Sequence, residues 1–149
     1  MNGYSVAWAA DMSEKSWQWD NGYAILPQLK TEANMTAKEK ERWKRLPDAD
    51  RENVLYEFFG PQPEIEVTQE VRQQMFDSFE TVDDHLMVIV GLAKDQKGNK
   101  YYKVKNSFGT NQIYDGYIYI SSAYFRAKTI DIMVHKDGVP SSVQSKIVK

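Results

Sequence analysis

No cysteine occurs among the 149 residues of the sequence. This absence excludes disulfides, thiolate metal sites and a cysteine nucleophile supplied by the chain itself. An excess of either charge is lacking too: 19 Lys and Arg face 21 Asp and Glu, a formal charge of −2, so no basic stripe points to a nucleic-acid partner. No uncharged apolar run approaches the roughly 18 residues a membrane span needs. Residues 1–20 carry Asp11, Glu14, Lys15 and Asp20 where a leader would be apolar. The expectation is a cytoplasmic chain without a membrane partner, and a cysteine-free composition is compatible with a reducing compartment. Histidine is scarce, with only His85 and His135. Core-forming residues are plentiful: 42% hydrophobic and 13% aromatic exclude global disorder and suffice for one domain with its own core.

Tyr4 to Asp11 is apolar on both parities and rich in Val, Ala and aromatics, which predicts a short buried strand. Residues 12–24, with Trp17, Trp19 and Tyr23 among Ser, Asp and Gly, have no period and read as an aromatic loop; tryptophans there pack under the loop or line a cleft. Thr36 precedes a run of helix formers from Ala37 to Leu46 with opposite charges at helical spacing, an exposed helix that Pro47 stops. Asp50 is placed to cap a second short helix whose Val54, Leu55, Phe58 and Phe59 share a face. Gly60-Pro61-Gln62-Pro63 breaks the chain, and Thr68 caps a third helix through Val71, Met75, Phe76 and Phe79.

Beyond residue 81 the character becomes extended. His85–Leu92 is a nearly continuous apolar run, read as a buried strand, and Lys100–Lys105 alternates aromatic or Val with Lys. Asp95-Gln96-Lys97-Gly98-Asn99 between them supplies turn chemistry, hence a hairpin. Tyr117–Ile120 and Thr129–Val134 are further strands, with Ser121-Ser122 capping a single turn between them. The predicted class is α+β: an antiparallel sheet, mostly in the second half, with helices inserted over about 31–80.

Histidine is the usual general base near neutral pH, and His85 stands where the acidic Asp83-Asp84 meets a strand, a place that projects a side chain from a rigid element. Taken alone, a histidine at a strand edge is more often structural than catalytic, and His135, beside Lys136 and Asp137, reads as a surface residue. Asn106 ends the Tyr101–Lys105 strand before Ser107-Phe108-Gly109. Turn initiation accounts for it; so does an amide oxygen that fixes an imidazole's tautomer and frees the other ring nitrogen. Asp83, Asp84 and His85 are consecutive and do not converge as metal ligands, no cofactor motif is present, and Glu39 and Glu41 among the basic residues of 38–45 make that helix a solvated face.

Three ordered stretches, Thr81-Val82-Asp83-Asp84-His85 into Leu86–Gly91, Tyr101–Lys105 into Asn106-Ser107-Phe108-Gly109, and Gly116-Tyr117-Ile118-Tyr119-Ile120, resemble the papain-like cysteine peptidases. Gly3–Asp11, Asp83-Asp84-His85 and Ile132-Met133-Val134-His135-Lys136 narrow the resemblance to the bleomycin hydrolase and bacterial aminopeptidase C branch. The likeness runs from residue 3 to about 140 and is weakest across 30–65. It implies the papain-like fold, specifically its sheet-rich right-hand half, with His85 as general base and acid and Asn106 orienting it. Phe108 stands where the family has a tryptophan shielding the asparagine–histidine bond, a smaller ring without an indole N–H. Ser107 matches the ordinary serine of that turn, no Gly-x-Ser-x-Gly elbow supports a serine hydrolase, and His135 matches no catalytic position.

The family's nucleophilic cysteine and the glutamine of its oxyanion hole belong to a half that precedes these motifs; neither matches a residue here. The expectation is therefore residues 1–149 as the C-terminal portion of a cysteine aminopeptidase, inactive alone, with Met1-Asn2 resembling a start codon set inside a domain. The alternative is a non-catalytic binding or structural remnant, paired with a separately encoded first half. In the branch resembled, substrates are peptides, the enzymes form closed homo-oligomeric rings, and the chain end reaches the cleft to hold a substrate's amine. That implies a substrate-binding role for Lys149, in a tail whose composition alone reads as frayed.

Overall fold

A computed structural model describes residues 3–58 and 60–147. Its frame is one seven-stranded sheet built from β1 (Val6–Ala10), β2 (Trp17–Gln18), β3 (Tyr23–Ala24), β4 (His85–Lys94), β5 (Lys100–Lys105), β6 (Tyr117–Ser121) and β7 (Thr129–Val134), in the order β2-β3-β6-β5-β4-β1-β7. Every neighbouring pair is antiparallel except β3 and β6, which run parallel with Tyr23 against Tyr119. The architecture is α+β as the pattern predicts, but the sheet is mixed. The stretch read as a loop over 12–24 contributes two-residue strands to one sheet edge, too short for any periodicity to show.

Helix α1 (Ala37–Arg45) begins where expected: Thr36 accepts from the Glu39 N–H while Glu39 reaches back to the Thr36 N–H. In α2 (Asp48–Val54), Pro47 rather than Asp50 is the N-cap. Proline at this boundary loses no helical N–H, and it leaves Asp50 in the first turn, where a negative charge is favourable. Phe59 lies outside the described residues. Thr68 caps α3 (Gln69–Asp77), which ends two residues short of Phe79; Phe79 takes a left-handed φ of 62° and is 82% exposed, not part of an apolar helix face. Helix α4 (Ser122–Lys128), capped by Ser121, runs nearly two turns rather than one. The tail read as frayed holds a short α5 (Ser141–Gln144), tied by Gln144 Nε2 to the Val139 carbonyl. Among the described residues no helix is long and apolar enough to cross a membrane.

One face of the sheet packs α4 and carries the core: Trp8, Ala10, Met87, Ile89, Val104, Ile118 and Ile120 around Tyr124. The other face of β4 is open, with Leu86 69% and Val88 38% exposed, so the apolar run marks a strand half-buried instead of wholly buried. β4 carries a bulge between Ile89 and Gly91, where the register against β5 shifts by one.

Glu64 sits under the start of α4, accepting from the Leu26 N–H at 2.7 Å and from the Ser121 hydroxyl. Burial pushes its carboxyl above the ordinary 4.5, more than these donors pull it down. A raised folded value means that the native state holds the proton more tightly. Glu64 therefore favours folding most below pH 4.5, and that contribution is lost as pH rises through the window up to its folded value. Glu64→Gln keeps the acceptor oxygen and removes the titration, so urea unfolding of the variant is expected to vary less with pH across this window than the wild type; identical slopes would refute this.

Candidate active site

β1 and β4 pair with Ala10 opposite His85, and β5 ends one residue before Asn106, whose N–H donates to the Gly116 carbonyl at 3.0 Å. These supports bring His85 Nε2 to 2.8 Å from Asn106 Oδ1, across 21 positions of sequence. The same oxygen accepts from the Ser107 N–H at 2.7 Å. A backbone N–H can only donate, so this atom is the amide oxygen and the imidazole must carry its proton on Nε2. Nδ1 is then the unprotonated nitrogen, free to take a proton from a nucleophile. Asn106 is 3% exposed, and its Nδ2 is buried with no hydrogen-bond partner among the described residues.

The Asn106 turn is held from outside. Gly116 has a φ of 78°, and a Cβ there would lie 2.2 Å from the Gly109 carbonyl oxygen, so only glycine permits the two ends of the loop to close. Lys105 Nζ donates to the Asp115 carbonyl at 2.6 Å and sits over the Tyr117 ring. On the other flank, two carboxylates bind the segment leading into His85 to the loop after β1. Asp84 accepts from the Met12 N–H at 3.0 Å, and Asp11 from the Val82 N–H at 3.2 Å. Burial, then the charges of Asp11 and Asp83, raise Asp84 above the usual aspartate value against the opposing pull of the Met12 N–H and His85.

Phe108 lies against the imidazole, ring centroids 5.0 Å apart and tilted 39°, while remaining 48% exposed. Trp19 meets Phe108 edge-on at 5.4 Å. The sequence pattern places His85, Asn106 and Phe108 in one site and the geometry unites them. His135 is elsewhere, stacked on Tyr4 at 5.3 Å and accepting from the Asp137 N–H at a turn. Lys149 lies outside the described residues. The sequence leaves Trp19 between packing under its loop and lining a cleft and shows Asp84 only as His85's acidic neighbour; that Asp84 and Asp11 tie the His85 segment to the loop after β1, and that Trp19 meets Phe108, follows from strand pairing alone.

Residues 55–149, well over half of the chain, match the model of the Peptidase C1-like family. The chain belongs to that family. A solved structure with the same fold is the selenomethionine crystal structure of PepW from Lactobacillus rhamnosis HN001 (DR20), superposing with a TM-score of 0.53 at 21% identity over 95% of this chain and 25% of that one. The chain thus spans about a quarter of PepW's length. No curated protein matches it. His85, Asn106 and Phe108 all lie within the matched Peptidase C1-like segment, whereas β1 and the β2–β3 hairpin with Trp19 precede it.

Proposed function

We propose that the chain supplies the general base His85 and its orienting partner Asn106 to a cysteine-type aminopeptidase whose thiol is carried on a stretch of polypeptide outside this sequence. The hydrogen bond from His85 Nε2 to Asn106 Oδ1 carries this reading, because it places the ring proton on Nε2 and leaves Nδ1 as the basic nitrogen. In the complete enzyme Nδ1 takes the thiol proton, and the thiolate attacks the carbonyl of an N-terminal peptide bond. The imidazolium then protonates the departing amine, and water, deprotonated by the same imidazole, releases the acyl group. Asn106 stabilises the ring orientation in both protonation states. Peptide substrates, self-association and a cytoplasmic setting belong to the same reading, which draws on the bleomycin hydrolase-like motifs.

With no thiol of its own, the isolated chain is expected to show no turnover of aminoacyl fluorogenic substrates. Turnover abolished by His85→Ala in the isolated chain would overturn the proposal, since it would mean a nucleophile within these residues.

A further inference from the structure

The aromatic rings beside the His85–Asn106 bond come from two different places in the chain. Phe108 covers the imidazole, but almost half of its own surface is exposed. Trp19 lies against Phe108, its ring 5.4 Å away at 80°, an edge-to-face contact of the favourable kind. Behind it, Trp19 packs against the sheet's core cluster.

The hairpin that presents Trp19 is bolted in place. Gln18 pairs with Tyr23, the Gly22 N–H donates to the Trp19 carbonyl at 3.0 Å, and the Gly22 carbonyl accepts from the Tyr119 N–H at 2.8 Å. Gly22, at φ 72°, lies so close to Tyr114 that a Cβ would fall 2.1 Å from the ring. Tyr114 belongs to the loop that leaves the Asn106 turn, so this contact ties the Trp19 hairpin to that loop. The acceptor end of the bond is withdrawn from solvent as well, Asn106 being 3% exposed.

We propose that Trp19 is a positioning residue for the catalytic pair, acting through Phe108 to keep water from the His85 Nε2–H···Oδ1 Asn106 bond. Its catalytic significance rests on His85 being the base. Water competes for both ends of an exposed hydrogen bond, whereas a dry one holds the imidazole in a single tautomer and orientation. A tryptophan from a sequence-distant hairpin thereby supplies the area that a phenylalanine at position 108 lacks.

The test is solvent exchange of the imidazole Nε2–H, read by ¹⁵N-histidine NMR on the chain as it stands, with exposed His135 as the unprotected control. Trp19→Ala is expected to accelerate His85 Nε2–H exchange by about tenfold or more while the backbone amides of Val104 and Ile118 keep their protection. Adding Phe108→Trp to that variant is expected to restore the slow exchange. Unchanged exchange in Trp19→Ala would overturn the proposal, as would acceleration matched by the two amides, which indicates a packing role alone. If Trp19→Ala does not fold, Trp19→Leu carries the same readout with the same two outcomes. Because a ring proton is followed and not turnover, failure here is distinct from failure of His85 as the base, which the activity assays decide.

Discussion

Lys128→Ala is expected to cost about 3–5 kcal/mol of folding free energy, because it strips the cation from a buried charge cluster and leaves carboxylates behind. Lys128 and Asp11 are both fully buried. The ammonium lies 3.5 Å from Asp11 Oδ2, pairs with Glu14 and donates to the Glu80 carbonyl. Small domains are stable by about 5–15 kcal/mol, so the loss is a large part of the total and shows in urea denaturation at neutral pH. A shift below about 1 kcal/mol would contradict the assignment. The cluster also governs acid stability. Burial pushes Asp11 upward, but the Ser13 hydroxyl and N–H, the Val82 N–H and Lys128 together pull it below the ordinary 3.8. A depressed carboxylate stabilises the fold above its unfolded value, and that contribution disappears as pH falls from about 3.8 through the lower folded value. Since Asp11 and the Glu80 carbonyl flank the segment leading to His85, weakening the cluster also loosens the approach to the site.

The second large effect is on catalysis. In the proposed complete enzyme, with its thiol-bearing stretch present, His85→Ala is expected to lower kcat by about 10⁴-fold or more, the order seen when one member of a nucleophile–base unit is removed. Asn106→Ala is expected to lower kcat by less and to leave KM largely unchanged, because its amide acts on the imidazole and not on the substrate. The double variant should be no slower than His85→Ala alone, since Asn106 has nothing left to orient. A further drop in the double variant, measured with an aminoacyl fluorogenic substrate, would assign Asn106 an independent role and contradict the geometry of its single shared oxygen.

Much of this was legible residue by residue. Thr36, Pro47 and Thr68 announce helix boundaries because caps are local chemistry, and Asp95–Asn99 announces its hairpin because turns are too. His85, Asn106 and Phe108 were readable from three motifs in order, and the bond joining the first two has the expected partners. Long-range placement was not readable. Lys128 looks like an ordinary basic residue at a helix end, where solvent exposure is the rule; its burial depends on a loop more than 100 positions earlier. The open face of β4 was hidden for a related reason: Leu86, Val88 and Val90 are as apolar as Met87 and Ile89, so composition could not reveal which parity faces the core.

The bulge in β4 has a consequence in arithmetic. Near the hairpin turn, partners in β4 and β5 have residue numbers summing to 194, as in Lys94 with Lys100 and Gly91 with Lys103. Past the bulge the sum is 193, as in Ile89 with Val104 and Val88 with Lys105. Opposed residues share a face of a sheet, so an odd sum carries Asn106, one step beyond β5, to the side of Met87 and His85. An even sum would set Asn106 opposite Val88, on the open side, with the sheet between it and the imidazole. One supernumerary residue therefore decides whether base and orienter can meet. It also makes the pair indifferent to changes of loop length at 95–99 that leave the count past the bulge intact, and intolerant of any single insertion or deletion between the bulge and His85.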